Sequence, residues 1–131
     1  MTTRRAKDLE DVYGWASLAA RAADDKQATS TIVLEVGPIL AITDAFVITS
    51  APNSRLVRTI AEEVEHQVKE AGGPAPLRTE GLDDARWVLL DYGDFVVHVF
   101  LDEVRDYYDL ERLWSDAARV DWETHPIAAA K

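Results

Sequence analysis

Cysteine is absent from the 131 residues, which excludes a disulfide framework and any thiolate metal site. Histidine is scarce, and His66, His98 and His125 are too widely spaced to suggest a His-rich metal centre. Neither a metal nor a cofactor is expected. Basic residues are outnumbered, 14 Lys and Arg against 24 Asp and Glu, for a formal net charge of −10. Nucleic-acid binding draws on cations that neutralise phosphates, so free nucleic acid is a poor partner for this chain. A basic protein surface is a better one, although acidity that serves only solubility fits the charge equally well. No apolar run approaches the roughly 20 residues of a membrane span. The opening MTTRRAKDLEDVYGW has no apolar signal-peptide core. The expectation is a soluble cytoplasmic protein with no membrane partner.

Motifs that carry chemistry are missing too. VGPILA and AGGPAP have neither the spacing nor the lysine of a phosphate loop. There is no G-x-S-x-G elbow, and the pattern assigns no histidine near Ser50 or Ser54. Nucleotidyl transfer would require paired strand carboxylates for Mg²⁺ beside a glycine-rich phosphate site, yet Glu35 stands alone on its strand. An acid–base pair of Asp91 and His98 would be spread over seven positions of a hairpin. No catalytic residue is assigned, and the chain is not expected to be an enzyme.

What is present is the material of one domain. A chain of this length buries about two-thirds of its unfolded surface, and 47% of its residues are hydrophobic. Apolar residues from Ala6 to Ala23 recur at helical spacing through Leu9, Val12, Tyr13, Ala16, Ala19, Ala20 and Ala23. TIVLEV (31–36) and DAFVITS (44–50) are β-branched strands, joined through Gly37 and Pro38 by a partly extended connection. Asn53 or Ser54 caps a second helix that reaches Glu70 or Ala71, with Val57, Ile60, Ala61, Val64 and Val68 as its buried stripe. Its other face, with Glu62, Glu63, Glu65, Lys69 and Glu70, is solvated. Two hairpin strands follow, and Asp106 or Asp109 then caps a short helix in LERLWSDAAR, held down by Leu110, Leu113 and Trp114. VDWETHPIAAAK has no period. These elements predict a single α/β (α+β) domain over residues 1–117, a mixed sheet flanked by helices, with 118–131 as a flexible tail.

The hairpin RWVLLDYGDFVVHVF is the most informative stretch. Gly93 and Asp94 suit a two-residue type II′ turn, because glycine comes first. Pairing then places Val88, Leu90, Phe95, Val97 and Val99 on one wholly apolar face, the core face. Trp87, Leu89, Asp91, Val96, His98 and Phe100 fall on the other, which is unlike a core because it mixes aromatics with a carboxylate and an imidazole. Cover by the acidic helix, with His98 hydrogen-bonded inside, is the plain explanation of that face. A binding surface is the sharper one: Trp and Tyr beside charges are typical anchors, and Asp91 and Asp94 together invite a cation, from a partner's Lys or Arg or a metal. Tyr107 and Tyr108 flank the same face.

TDAFVITSA, the order W-V-L-L-D-Y-G-D…V-H-V-F, and RDYYDLERLW together resemble the ribosomal silencing factor family, also called Iojap-related, over about residues 7–116. The resemblance implies a nucleotidyltransferase-like fold without catalytic residues. It also implies binding to the large ribosomal subunit through its ribosomal protein fourteen, a small basic β-barrel. Occupying that surface would block subunit joining and lower translation when nutrients run short. Free members can form homodimers. Carried over by position, the contact surface comprises Trp87, Asp91, Tyr92, Gly93, Asp94 and His98, extended to Phe100 and Tyr107. Two other readings stay open: an enzyme of nucleotidyltransferase ancestry, and a homodimeric scaffold that uses the hairpin face on itself.

Overall fold

The computed structural model describes residues 8–127; the helix start expected at Ala6 and the last four residues of the chain lie outside them. Helix α1 spans Leu9–Asp25, and the Asp8 carboxylate caps it by accepting the Glu10 N–H at 2.9 Å. Gly14, Ala16, Ala19, Ala20, Ala22 and Ala23 are buried along it, and these small residues let it lie close to both the sheet and the second helix. Helix α2 spans Ser54–Glu70, with Asn53 Oδ1 accepting the Leu56 N–H at 2.8 Å. Its expected stripe is the one buried.

The strands are β1 (Thr29–Glu35), β2 (Ala45–Ala51), β3 (Arg78–Glu80), β4 (Trp87–Asp91), β5 (Phe95–Leu101) and β6 (Ala118–Arg119), in the sheet order β3-β4-β5-β2-β1-β6. β2 and β5 run parallel, and every other pair is antiparallel. The expected mixed α/β architecture is therefore present. β2 is buried at every residue because both of its faces are covered, as its near-continuous apolar sequence requires.

Four local expectations are corrected. The connection after β1 is not extended: the Ile39 and Leu40 N–H groups both turn back to the Val36 carbonyl. β3 escapes the sequence pattern because three exposed residues generate no period. A seven-residue helix, α3 (Asp102–Tyr108), precedes the short α4 (Leu110–Leu113), and Asp109 joins them at φ 50°. Asp106 therefore sits inside α3, and Asp109 makes no side-chain cap. Finally, residues 118–127 are docked, not loose. β6 pairs with Leu34 and Glu35, Trp122 donates its indole N–H to the Thr31 carbonyl at 2.9 Å, and the Arg21 side chain donates to the Trp122 and Glu123 carbonyls. A two-residue strand and one indole anchor leave no periodic trace in sequence.

The sheet carries a core on each side. α1 and α2 cover the larger, which contains Val88, Leu90, Phe95, Val97 and Val99. The opposite face, expected to be unlike a core, holds a smaller one made of Leu34, Val36, Phe46, Ile48, Val96, Phe100 and Val104. α3, Leu110 and Trp114 form its roof, whereas Leu113 is 74% exposed and packs nothing down. Among the described residues no helix is long and apolar enough to cross a membrane.

Candidate functional site

The hairpin turn closes with the Tyr92 N–H on the Phe95 carbonyl at 2.9 Å. Gly93 has φ 87°, and Asp94 is not in the left-handed region, φ signs that fit a type II′ turn and exclude type I′. Trp87 stands opposite Phe100, Leu89 opposite His98, and Asp91 opposite Val96. On this second face the β5 row is buried, but Trp87, Leu89 and Asp91 on β4 are only half covered. The roof lies over β1, β2 and β5, and β4 has only the three-residue β3 beyond it. The outcome is a half-open stripe along β4, apolar for most of its length and acidic at its end.

At one end of the stripe is an aromatic group. The Trp87 ring lies 4.7 Å from Phe100 and 4.9 Å from Tyr108, and Tyr108 meets Tyr107 edge-on at 5.1 Å. Tyr107 is 81% exposed. An open groove of about 580 Å³ runs beside them, lined also by Asp84, Glu103 and Arg86. Trp87 donates its Nε1–H to His98 Nδ1 at 3.1 Å. Burial pushes the imidazole down to about 4, so it is neutral at pH 7. With Nδ1 accepting, the proton resides on Nε2, which finds no hydrogen-bond partner among the described residues.

The turn is at the other end, four residues along β4 and so about 13 Å from Trp87. Asp91 Oδ1 accepts the Gly93 N–H at 2.8 Å, which stiffens the turn, and Oδ2 pairs with Arg78 on β3 at 3.3 Å. The cation that two tip carboxylates were expected to invite is thus met in part from within the chain, by a strand the pattern did not reveal. Asp94 is exposed. Among the described residues no cluster of three or more His, Asp or Glu is placed to hold a metal.

The eight residues singled out by resemblance therefore divide four ways. Trp87 and Tyr107 stand at the aromatic end, and Asp91, Gly93 and Asp94 at the acidic end. His98 and Phe100 lie on the same face but are sealed beneath it. Tyr92 faces the helices instead: it is buried, stacked on Phe95 at 4.5 Å, and its hydroxyl is pushed upward by burial and then by Glu65. Sequence reasoning placed Leu89 on this face without counting it among the contact residues, and it missed Ile42, which is 79% exposed. The connection that carries Ile42 reaches the tip two residues on, where the Asp44 N–H bonds the Asp94 carbonyl at 2.9 Å. The apolar run ILAI (39–42), lying outside any helix or strand pattern, is the signal that could have found it. Ser50 has a structural use: its Oγ accepts from Arg105 Nη1 at 3.0 Å, and the buried Arg105 also pairs with Glu111 at 2.7 Å and bonds the Thr29 and Ser30 carbonyls.

The sequence profile of the family described as "Ribosomal silencing factor during starvation" (RsfS) matches residues 9–131. This chain belongs to the ribosomal silencing factor family. The match reaches past residue 117, so the docked C-terminal stretch falls within it. The chain is 43% identical over 104 residues to the ribosomal silencing factor of Bacillus subtilis, covering 79% of this chain and 87% of that one. It is 30% identical over 92 residues to a mouse protein named "Mitochondrial assembly of ribosomal large subunit protein 1", covering 69% of this chain and 40% of the mouse protein. A crystal structure of a Chromobacterium violaceum protein superposes with a TM-score of 0.74 at 33% identity, covering 89% of this chain and 93% of that one. A ribosomal silencing factor is a regulator of translation.

Proposed function

We propose that this silencing factor docks on the large ribosomal subunit through ribosomal protein fourteen, that its bulk there keeps the small subunit from joining, and that translation falls in consequence when nutrients are limiting. The observation that carries this reading is the half-open stripe Trp87, Leu89 and Asp91, aromatic at one end and acidic at the other. Such a strip complements a small basic β-barrel: aromatics supply desolvated anchor contacts, and carboxylates meet Lys or Arg. The net charge of −10 attracts a basic surface over distance, within a Debye length of ~8 Å at physiological salt. The family membership supports a ribosomal partner, and the mouse relative's name supports the large subunit.

The action is occupancy, not catalysis. Ser50 is committed to Arg105, and Glu35 accepts the Tyr13 hydroxyl at 3.4 Å, so neither is poised for phosphoryl chemistry. Co-sedimentation with purified subunits tests the proposal. The protein is expected to travel with large subunits and not with small ones, and large subunits loaded with it are expected to stay separate in a sucrose gradient when small subunits are added. Equal binding to both subunits, or normal joining by loaded large subunits, overturns it.

A further inference from the structure

We infer that His98, enclosed beneath the docking face, is the positioning residue that fixes the plane of the Trp87 indole and presents it pre-set to the partner. The inference rests on the docking role of Trp87 proposed above. His98 is 5% exposed, so it cannot itself touch a docked protein without the face opening. It stands opposite Leu89, two pairs along from Trp87 and next to it on the same face, and the indole reaches it diagonally across the strands. The imidazole is held between Phe46, edge-on at 4.7 Å, and Phe100, nearly parallel at 6.1 Å. These two rings leave its Nδ1 aimed at the Trp87 N–H, 3.1 Å away.

Packing alone does not account for a histidine here. Its Nε2–H is buried without a partner among the described residues, a cost that leucine would avoid. What imidazole adds is the Nδ1 acceptor. Burial keeps the ring neutral at pH 7, so that acceptor stays open. A half-exposed indole without it would turn among rotamers, and ordering it on docking would weaken the complex.

Three full-length variants test this. Trp87→Ala identifies the Trp87 indole N–H signal in the nitrogen–proton spectrum by its loss. In His98→Leu that signal is expected to shift, and its exchange with water to speed up about tenfold, as a released hydrogen bond allows. Large-subunit affinity is expected to fall about tenfold while the melting temperature holds or rises, since an unpaired buried N–H has been removed. His98→Asn places Oδ1 where Nδ1 was, and is expected to return affinity to within about threefold of wild type, because the indole is again pre-ordered. If His98→Leu does not fold, His98→Val, which also lacks an acceptor and suits a strand, takes its place with the same expectation. A folded acceptor-deficient variant that binds like wild type overturns the inference, and Trp87→Ala binding weakly beside it leaves the docking proposal standing. Equal weakness in His98→Asn and His98→Leu also overturns the inference. Normal binding by Trp87→Ala overturns the docking proposal itself, and the positioning role with it.

Discussion

On the helix-covered face of the sheet, Val88, Leu90, Phe95, Val97 and Val99 disappear beneath α1 and α2, two helices of 17 residues each. On the opposite face the cover is a seven-residue helix and a four-residue one, and the hairpin's own residues divide: Val96, His98 and Phe100 are sealed, while Trp87, Leu89 and Asp91 stay half open. The two faces share strands, register and largely apolar side chains. What differs is the size of the roof. A large roof makes a core and nothing more, whereas a small roof makes a core with a margin, and the margin is where we propose the partner takes hold.

The comparison breaks first if the second face is not a true core. Phe95→Ala and Phe100→Ala are each expected to cost about 3–5 kcal/mol of folding stability, read from urea unfolding, because each ring leaves a cavity in packed surroundings. A cost below about 1 kcal/mol for Phe100→Ala alone would make that face a surface after all.

Acid sharpens the contrast, since the second face alone holds a buried imidazole. His98 is pushed down from 6.5 to about 4 by burial. Between those values the unfolded chain takes up a proton that the folded chain refuses, so stability rises with pH across this window. The contribution is complete above about pH 6.5 and is lost as pH falls towards 4, by an amount on the order of 3 kcal/mol. Melting curves of His98→Leu against wild type check this: the variant is expected to lose this part of the acid sensitivity.

Anchors and core residues are expected to separate next. Trp87→Ala is expected to weaken large-subunit binding by about 2 kcal/mol with a smaller loss of stability, and Val97→Ala to cost about 1–3 kcal/mol of stability with binding intact once folded. Equilibrium binding and thermal melts on both variants measure the split, and parallel losses in the two would erase it. The smallest effect belongs to the tip. Replacing Asp91 and Asp94 together by asparagine keeps an oxygen for the Gly93 N–H and gives up the Arg78 pair, an exposed contact of little worth. Binding to large subunits is expected to weaken about tenfold, or ~1.4 kcal/mol, with the fold retained. Unchanged binding by the folded double variant would leave the aromatic end as the whole anchor.

Much of this was legible in the residues. The α2 stripe and its Asn53 cap, the type II′ turn at Gly93, and the division of hairpin residues between faces follow from local spacing and local backbone chemistry, and the structure agrees with each. The candidate site was legible as a set of residues but not as a surface. Tyr92 is next to Asp91 in sequence and turns to the opposite face, since neighbours on a strand alternate. Asp91 and Trp87 share a face but lie about 13 Å apart, because each strand residue adds a rise of about 3.3 Å.

Alternation and spacing along the chain determined which side chains share a face, because those are properties of the backbone repeat. How much of each face stays open was decided by tertiary structure. α3 and Trp114 lie over β2 and β5, β3 brings Arg78 to Asp91 from 13 positions away, and Arg105 reaches 55 positions back to Ser50. None of these contacts leaves a local pattern, since each joins segments whose separation in sequence carries no period. Burial of His98 is of the same kind: its place on the strand was set by the sequence, and its neutrality and its grip on Trp87 by the rings that close over it.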